Sequence, residues 1–561
     1  MEKIIECVPN FSEGRDLNII KLITDQIELV DGVKLLNVDP GMATNRTVVT
    51  FVGNPEAVIE AAYNAIKKAS ELIDMGKHKG EHSRMGATDV CPLIPISGIS
   101  MEETIKYAKM LGERVGKDLN IPVYLYEEAQ VDPARKNLSI IRAGQYEGFF
   151  KKIKLPEWKP DFGPSEFNLR SGGTVIGARD FLVAYNINLN TTSTRRANAI
   201  AFDVREAGRV KREGDPLTGK IITDEKGNPI SIPGSLKAVK AVGWYIEEYG
   251  VAQISMNLTN INTTPVHIAF DEVCKKAAER GIRVTGSELV GLVPLNSLLD
   301  AGRYFLEKQE RSTGVSEKEL IKIAVKSLGL DELSPFIPEK RIIEYMLKDK
   351  TKSRLVNMSL SDFADETASE SPAPGGGSIS AYIGALGVAL GTMVANLSSH
   401  KKGWDQRWKE FSEIASSGQE YKQELIKLVD EDTQAFNLIM DAFSMSKNTE
   451  EEKQKRTESL QAATKTAIEV PLKVMQTSLN SMQVIKTMAE TGNPNSASDA
   501  GVGALCARSA VMGAFLNVKI NASGLDDKDY VKNVIAKGVE IEQKAKDLEE
   551  QILKIVEKNI I

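Results

Sequence analysis

The sequence predicts an α/β fold for the N-terminal half, built as two α/β sandwich subdomains and joined to an all-α helical C-terminal domain. Up to about residue 305, short runs rich in β-branched and aromatic residues alternate with amphipathic helical patterns, which is typical of α/β proteins. Beyond Ser359 the chain shows long helical patterns and no strand signal. This layout is suited to two activities in one polypeptide.

Breaks in composition indicate the domain boundaries. The stretch Pro156–Gly177 is rich in proline and glycine, which marks a seam between the two subdomains. Polar residues between Arg212 and Gly234 indicate a surface hairpin insertion that turns at residues 226–228. We therefore predict four divisions: an N-terminal subdomain 1–180, a second subdomain 181–330, a linker 331–355 and a helical domain 356–561.

Composition and charge argue against several classes of protein. The net charge of -6 over 561 residues provides no basic surface for a polyanion, so we expect no nucleic-acid partner. The N-terminus is acidic where a signal peptide needs a positive flank. The four cysteines are far apart and form no disulfide or zinc pattern. We expect a cytoplasmic protein with reduced thiols.

One uncharged segment, Ile379–Leu397, is long enough to cross a membrane. It contains Gly384, Gly387 and Gly391, interspersed with polar side chains. Small residues at this spacing allow a neighbouring helix to approach closely. Because the rest of the chain is polar and no second such segment is evident, we interpret it as a buried helix and expect no membrane span.

Two of the four histidines lie close together, and His78, Glu81 and His82 spell the H-x-x-E-H signature of a zinc peptidase. That signature needs a continuous helix and a third ligand. Gly80 lies between the two histidines and disfavours a helix, and no E-x-x-H motif completes a ligand set. We therefore expect no metal at this loop.

Two interpretations of the loop remain. His82, Arg84 and Asp89 lie in a stretch punctuated by glycine, which would let a substrate approach an imidazole able to donate and accept a proton near neutral pH. The plainer interpretation is a pair of surface histidines in a polar loop. Upstream, Asp39 ends an apolar run on a Pro-Gly turn, where a carboxylate is also a common turn residue.

One carboxylate of the helical half falls within an apolar helix stripe. The 4-3-4-3-4 spacing of such a stripe is followed by Leu425, Val429, Asp432, Phe436, Ile439 and Phe443. Asp430 and Glu431 fall off the stripe and can be solvated. A carboxylate on a buried face should have a raised pKa, so Asp432 is a candidate general acid. The alternative is a structural aspartate bonded to a neighbouring helix.

Several motifs resemble enzymes of folate metabolism. In the first half, Glu6–Arg15, Asp39–Gly53, Lys79–Pro95, Pro160–Ser165 and Phe181–Leu189 resemble glutamate formimidoyltransferases. In the second half, Ser371–Ala381, Leu428–Phe436 and Ser496–Ala504 resemble formimidoyltetrahydrofolate cyclodeaminases. Together they resemble the bifunctional formimidoyltransferase-cyclodeaminase family over nearly the whole chain.

The resemblance implies two successive reactions. The first transfers the formimidoyl group of N-formimidoyl-L-glutamate to N5 of tetrahydrofolate. The second cyclises 5-formimidoyltetrahydrofolate to 5,10-methenyltetrahydrofolate and releases ammonia, in histidine degradation and one-carbon metabolism. Tetrahydrofolate is then a co-substrate. No metal is needed, because the amidine carbon is electrophilic once protonated.

The resemblance also assigns roles to individual residues. His82 falls on the transferase histidine, Asp39 on its acidic helper and Asp432 on the cyclodeaminase carboxylate. The folate-binding segment of the family falls on ten consecutive residues: Gly163, Pro164, Ser165, Glu166, Phe167, Asn168, Leu169, Arg170, Ser171 and Gly172. The glycines of Pro372–Ser378 are not followed by a G-K-[ST] motif. We expect them to let backbone approach a ligand or a neighbouring helix.

The implied partners are N-formimidoyl-L-glutamate and (poly)glutamylated tetrahydrofolate, bound in a cleft between the two subdomains. We also expect a homo-oligomer built from dimers. Two alternatives remain open. The helical half also resembles methenyltetrahydrofolate cyclohydrolases, so the chain could process a formyl instead of a formimidoyl group. It could also be a folate-binding protein without activity.

Overall fold

The computed structural model describes residues 3–42, 45–80, 83–214, 219–225, 227–247, 249–347 and 355–560. The chain divides into two compact units, 1–297 with 329–347 and 298–328 with 348–561. In the described residues all strands belong to the first unit, and the second unit is helical. The predicted fold class, an α/β half joined to an all-α half, is confirmed.

A mixed sheet forms the centre of the first subdomain. Its strands are β1 (Ile4–Cys7), β2 (Asn10–Phe11), β3 (Val33–Gly41), β4 (Arg46–Gly53), β5 (Thr88–Ser97), β6 (Val123–Glu127) and β7 (Thr174–Ala178). Both β1 and β2 lie between β4 and β5, β3 forms one edge beside β4, and β7 and β6 follow β5. The β5–β7 and β7–β6 pairs are parallel and the others are antiparallel.

Helices cover the two faces of this sheet unequally. One face is covered by α1 (Leu17–Glu28), α2 (Pro55–Leu72) and α3 (Met101–Leu119), and the other partly by α4 (Leu138–Ile141) and α5 (Gln145–Lys152). Helix α3 begins with a capping box of Ser100 and Glu103. Ile5 and Cys7 pack under the helical layer, and Tyr124 and Phe149 pack on the opposite face.

The second subdomain contains an antiparallel sheet. Its elements in chain order are β8 (Val183–Leu189), α6 (Thr194–Val204), β9 (Arg209–Val210), β10 (Arg212–Glu213), β11 (Lys220–Ile221), β12 (Ser231–Ile232), β13 (Val239–Ile246), β14 (Val251–Leu258), α7 (Val266–Ala278) and β15 (Val284–Val290). The main sheet has the order β13-β14-β8-β15. The β10–β11 ladder lies within the predicted insertion, and the β12–β9 ladder joins the insertion to the strand just before it. Of its predicted turn, Lys226 lies outside the described residues.

Long helices make up most of the second unit. The remaining elements of the chain are α8 (Leu295–Lys308), α9 (Glu317–Leu328), α10 (Pro338–Arg341), α11 (Ile343–Leu347), α12 (Leu360–Thr367), α13 (Gly376–Ser399), α14 (Trp408–Ser444), α15 (Glu450–Thr491), α16 (Ala497–Ala522) and α17 (Lys528–Ile560). A Cβ added at Gly387 on α13 would lie 2.8 Å from the carbonyl oxygen of Gly503 on α16. Small residues therefore bring α13 and α16 close together, as the glycine spacing predicted.

The loop between α8 and α9 is anchored on the long helices of its unit. Thr313 N donates to Ser412 Oγ at 2.9 Å. Two amides, Asn396 Nδ2 at 2.8 Å and Gln419 Nε2 at 3.1 Å, donate to Gly314 O. Polar groups of α13 and α14 thus satisfy the backbone of this loop.

Two helices in the described residues are long and apolar enough to cross a membrane, Gly376–Ser399 and the stretch Pro494–Ala522. The expectation that the first has no counterpart is wrong. Asp499, Arg508 and Lys519 interrupt the second stretch in the sequence and conceal its apolar character. Their most apolar windows are 61% and 50% buried, and a core helix meets the same criteria of length and apolarity.

Candidate active sites

Asp39 lies on β3, an edge strand of the first sheet. It is paired with Val48 on β4, and the pairing continues through Pro40 and Gly41. The predicted Pro-Gly turn at Asp39 is therefore wrong. Proline is tolerated here because an edge strand leaves half of its N–H groups outside the ladder. The Asp39 side chain is exposed, so a substrate can reach it.

The predicted transferase histidine, His82, and the adjacent Glu81 lie outside the described residues. The flanking described residues, from Ile73 to Gly80 and from Ser83 to Ala87, contain no helix, as the glycines predicted. Among the described residues, no group of three His, Cys, Asp or Glu side chains is placed to hold a metal ion.

His78 is a structural residue of this loop. Its Nε2 lies 2.8 Å from Asn45 O, and Arg84 Nε donates to its Nδ1 at 3.1 Å. These contacts require a neutral ring with the proton on Nε2. Burial is the main cause that lowers the pKa of His78, which favours the same neutral form. Both ring nitrogens are thus engaged.

Arg84 and Asp89 anchor the two ends of the loop segment that follows. Arg84 is buried and binds Glu147 through two hydrogen bonds of 2.7 and 2.9 Å. Asp89 is fully buried, accepts a hydrogen bond from Met85 N at 3.0 Å and pairs with Arg142 at 2.5 Å. Two-point ion pairing of this kind fixes geometry. We therefore assign these residues to the support of the loop.

The predicted folate-binding segment, residues 163–172, lies against the same loop. Ser171 O accepts a hydrogen bond from Ala87 N at 2.8 Å, and Arg170 O accepts one from Met75 N at 2.8 Å. The structure therefore brings together the segment and the loop that carries the predicted histidine.

The segment has an inner and an outer side. Inside, Phe167 packs edge-to-face on Phe149 with ring centroids 5.8 Å apart. Gly172 has φ +66°, and a Cβ there would collide with Met85 O. The exposed side chains are Ser165, Glu166, Leu169 and Arg170. In the described residues, no hydrogen bond or ion pair connects the segment with Asp39.

A cavity of about 590 Å³ lies where the two subdomains of the first unit meet. Its volume is in the range of sites for small molecules and cofactors. Its walls include Tyr126, Glu127, Arg142, Arg179, Lys240 and Asn260. A cleft between subdomains was predicted, but none of residues 163–172 lines this cavity. Two of the wall residues, Arg179 and Asp180, form a charged pair directly after β7. The sequence alone does not distinguish such a pair from ordinary surface charges.

Asp432 lies on α14 beside the first turn of α13. The Ser378 hydroxyl is 3.0 Å from Asp432 Oδ2 and 2.9 Å from Val429 O. The Asp432 side chain is half-buried. Burial raises the pKa of Asp432, and hydrogen bonds from Ser378 oppose this shift. A carboxyl that keeps its proton to a higher pH is suited to general acid catalysis.

The predicted apolar stripe around Asp432 is right only in its first half. Leu425 and Val429 are buried, but Phe443 is 51% exposed. The buried face continues instead through Ala435 and Ala442. Alanines allow neighbouring helices to pack closely, and a spacing rule based on large apolar residues does not detect such a face.

Asp430 was expected in solvent, and this expectation is wrong. The residue is 8% exposed, and its Oδ1 accepts a hydrogen bond from Leu355 N at 3.0 Å. Burial raises the pKa of Asp430, and backbone hydrogen bonds oppose the shift. Asp430 and Asp432 thus face different parts of the structure: Asp430 binds the backbone that enters the helical domain, whereas Asp432 reaches α13.

Gly377 provides the space that Asp432 occupies. A Cβ at Gly377 would overlap the Asp432 carboxyl group, whereas the nearest atom to a Cβ at Gly375 is Pro372 O at 3.9 Å. We expect Gly377→Ala to fold, because alanine favours helix, but to displace Asp432 and lower the activity of this site at least tenfold. The measurement compares Gly377→Ala with Gly375→Ala, which should retain activity; equal activities would contradict the prediction.

Asn517 on α16 lies beside the glycine run next to Asp432, and the sequence did not predict this position. A Cβ at Gly376 would lie 3.2 Å from Asn517 Nδ2. Asn517 and Asp432 therefore approach two consecutive glycines from different helices. The run of glycines was a signal that other groups crowd this backbone, but it could not identify them.

Both halves of the chain match known protein families. The profile of the "Formiminotransferase domain, N-terminal subdomain" matches residues 4–179, that of the "Formiminotransferase domain" matches 184–348, and that of "Formiminotransferase-cyclodeaminase" matches 359–539. The formimidoyltransferase-cyclodeaminase of Mus musculus is 43% identical over 528 residues, which is 94% of each chain. The chain belongs to the formimidoyltransferase-cyclodeaminase family. The family predicted from the motifs is confirmed.

Two shorter relatives match separate parts of this formimidoyltransferase-cyclodeaminase family member. The glutamate formimidoyltransferase of Thermoplasma acidophilum is 41% identical over 324 residues, covering 57% of this chain and 98% of its own. The methenyltetrahydrofolate cyclohydrolase of Methylorubrum extorquens is 34% identical over 204 residues, covering 36% of this chain and 98% of its own. Both halves thus have relatives that exist as separate proteins.

Proposed function

We propose that the chain transfers the formimidoyl group of N-formimidoyl-L-glutamate to N5 of tetrahydrofolate and then closes the ring to 5,10-methenyltetrahydrofolate with release of ammonia. The observation that carries this proposal is that single bifunctional relatives match both halves of the chain in the same order. The match of the first half to a glutamate formimidoyltransferase supports the first step. In this proposal the chain connects histidine degradation with one-carbon metabolism.

The first step passes through a tetrahedral carbon. The attacking N5 loses a proton and the leaving glutamate nitrogen gains one, and a single imidazole can carry out both transfers in turn. We assign this role to His82, with Asp39 as the carboxylate that orients and stabilises the imidazolium. The engagement of both His78 ring nitrogens supports this choice, since it leaves His82 as the remaining histidine of the loop. Residues 163–172 and the cavity between the subdomains are the proposed folate-binding regions.

The second step expels ammonia while N10 attacks the formimidoyl carbon. The departing nitrogen needs a proton, and we assign its delivery to Asp432, whose raised pKa suits a general acid. Neither step requires a metal, because a protonated amidine carbon is already electrophilic. Tetrahydrofolate takes part as a co-substrate.

The full chain, incubated with N-formimidoyl-L-glutamate and tetrahydrofolate, should form one ammonia for each 5,10-methenyltetrahydrofolate. Ammonia and the absorbance of the methenyl product are measured in the same sample. Consumption of both substrates without ammonia would contradict the second step, and no consumption would contradict the first.

The relative named methenyltetrahydrofolate cyclohydrolase favours a second candidate function. In this alternative a formyl group is transferred to folate, and the helical half interconverts the formyl and methenyl forms with water. Supplying 5,10-methenyltetrahydrofolate alone separates the two: rapid hydrolysis, together with failure to release ammonia from 5-formimidoyltetrahydrofolate, would support the cyclohydrolase.

We further propose a cytoplasmic homo-oligomer built from dimers, with no membrane span and no nucleic-acid partner. Helices α13 and α16 bury small residues on one side and expose large apolar ones on the other. The exposed ones are Leu386, Leu397, Val502, Leu505, Leu516 and Ile520. A second copy of the helical domain would cover such a surface. A monomer in sedimentation equilibrium would contradict the proposed assembly.

A further inference from the structure

Glu6 is a buried carboxylic acid with an unusual position. It lies on β1 in the middle of the first sheet, paired with Val52 on β4 and with Ile94 on β5, and is 4% exposed. Its neighbours Ile5 and Cys7 are fully buried under the layer of α1, α2 and α3. Because side chains alternate along a strand, Glu6 points to the opposite face.

That opposite face also carries Tyr126, a residue of the cavity between the subdomains, although Glu6 is not itself among the residues that line the cavity. Tyr126 lines the cavity, while the preceding Leu125 packs under the helical layer. Arg179 also lines the cavity, and its N–H donates to Leu93 O on β5 at 3.1 Å. Strand β5 is the neighbour of β1, so Arg179 and Glu6 are about two strand spacings apart, roughly 10 Å between backbones. The Arg179 guanidinium donates to Asp180 O at 3.0 Å, and its charge still acts on Glu6.

Among the described residues, no donor makes a hydrogen bond to the Glu6 carboxyl group. A buried carboxyl without a hydrogen bond is costly, and such groups in folded proteins call for an explanation. Burial raises the pKa of Glu6 to about 7, with Arg179 opposing the shift. A structural carboxylate would be expected to bind an arginine or backbone N–H groups, as Asp89 and Asp430 do.

We propose that Glu6 binds an amidine-type edge of a transferase substrate, that is, two parallel N–H donors on one carbon. A carboxylate accepts such an edge through two hydrogen bonds, which are strong and directional. The inference rests on the proposed function, because both of its substrates carry this chemistry. The pterin ring presents N3–H and the 2-amino group, and the protonated formimidoyl group presents two N–H groups.

The test substitutes Glu6→Gln in the full chain. Glutamine keeps the size but places an amide NH₂ opposite one of the two donors. We expect the KM for the substrate held by Glu6 to rise roughly 10- to 100-fold, the scale of a lost charge-assisted pair. Cyclodeamination of supplied 5-formimidoyltetrahydrofolate should stay unchanged. Glu113→Gln, on the outer surface of α3 and exposed, is the matched control and should leave both KM values unchanged.

The two substrates are distinguished by which KM changes. A higher KM for tetrahydrofolate alone identifies the pterin edge, and a higher KM for N-formimidoyl-L-glutamate alone identifies the formimidoyl group. Two small probes give the same answer by calorimetry on the wild-type chain, independently of activity. Binding of 2-amino-4-hydroxypyrimidine reports the pterin edge, and binding of acetamidine reports the amidine.

A structural role predicts a different pattern. Glu6→Gln would then change only the midpoint of urea unfolding and leave both KM values within twofold of the wild type. That outcome, or failure of both probes to bind the wild-type chain, overturns the proposal. If the wild type shows no transfer at all, the proposed function fails, while Glu6-dependent binding of a probe still supports this inference. Glu6→Asp, which keeps the charge but shortens the side chain, replaces Glu6→Gln if the latter does not fold.

Discussion

Asp432→Asn is expected to lower ammonia release by roughly a hundred-fold or more, which is the usual scale for loss of a general acid or base. The substitution keeps the volume of the side chain and an oxygen that can accept the Ser378 hydrogen bond, so the helical domain should remain folded. The amide, however, has no titrating proton to give to the departing nitrogen. Stopped-time ammonia assays with 5-formimidoyltetrahydrofolate, together with the urea midpoint, measure the two effects separately.

The pH dependence follows from the direction of the pKa shift. Burial raises the pKa of Asp432, so the wild-type rate should fall as the pH rises through this raised value, because the acid form is lost. Asp432→Asn should not show this decline. A wild-type rate that instead rises over the same range would identify Asp432 as a base.

Asp430→Asn is the matched comparison, because the two aspartates are two residues apart and both are shielded from solvent. Its oxygen accepts a backbone hydrogen bond from Leu355, so substitution should cost stability rather than chemistry, on the order of 1 kcal/mol. If Asp430→Asn is inactive and Asp432→Asn turns over normally, the assignment of the general acid is wrong.

His82→Ala is expected to lower formimidoyl transfer by about 10²- to 10⁴-fold, the range for removal of a general acid–base group. Both proton transfers of the first step depend on this imidazole in the proposed mechanism. Cyclodeamination of supplied 5-formimidoyltetrahydrofolate should stay nearly intact, because its proposed acid lies on α14. The two activities are measured separately on the same full-length preparation.

His78→Ala serves as the comparison for His82→Ala. It removes the acceptor of Arg84 Nε and the contact with Asn45 O, so it should loosen the loop and lower the urea midpoint while retaining more transferase activity than His82→Ala. Equal loss of transfer in both variants would argue that the loop as a whole, and not one imidazole, is required. Loss of both activities in His82→Ala would show that the halves are not chemically independent.

Periodicity and glycine placement predicted much of the architecture. The alternation of short apolar runs with helical patterns indicated the α/β half, and the glycines of α13 indicated close helix packing, which Gly387 and Gly503 provide. These features are local, because they depend on the spacing of residues within one element.

The incorrect predictions concern residues whose partners are distant in the sequence. The Pro-Gly pair at Pro40 predicts a turn, but Pro40 lies in an edge strand. Its pairing with β4 becomes visible only in the folded sheet. The helix spacing predicts that Asp430 is solvated, because its partner, the backbone of Leu355, is far away in the sequence. The position of Asn517 has no local signal in the sequence, because its neighbour Gly376 lies on another helix. A rule based on spacing within one element cannot predict partners that folding brings together.

The loop between α8 and α9 has a consequence for modularity. Residues 298–328 belong to the helical unit, although residues 329–347 that follow them belong to the first unit. A single cut near residue 330 would leave Thr313 and Gly314 on one fragment and their partners Ser412 and Asn396 on the other. The two compact units are therefore interleaved along the backbone. Excising the helical unit with these hydrogen bonds intact would require reconnecting the chain so that residues 298–328 stay attached to it.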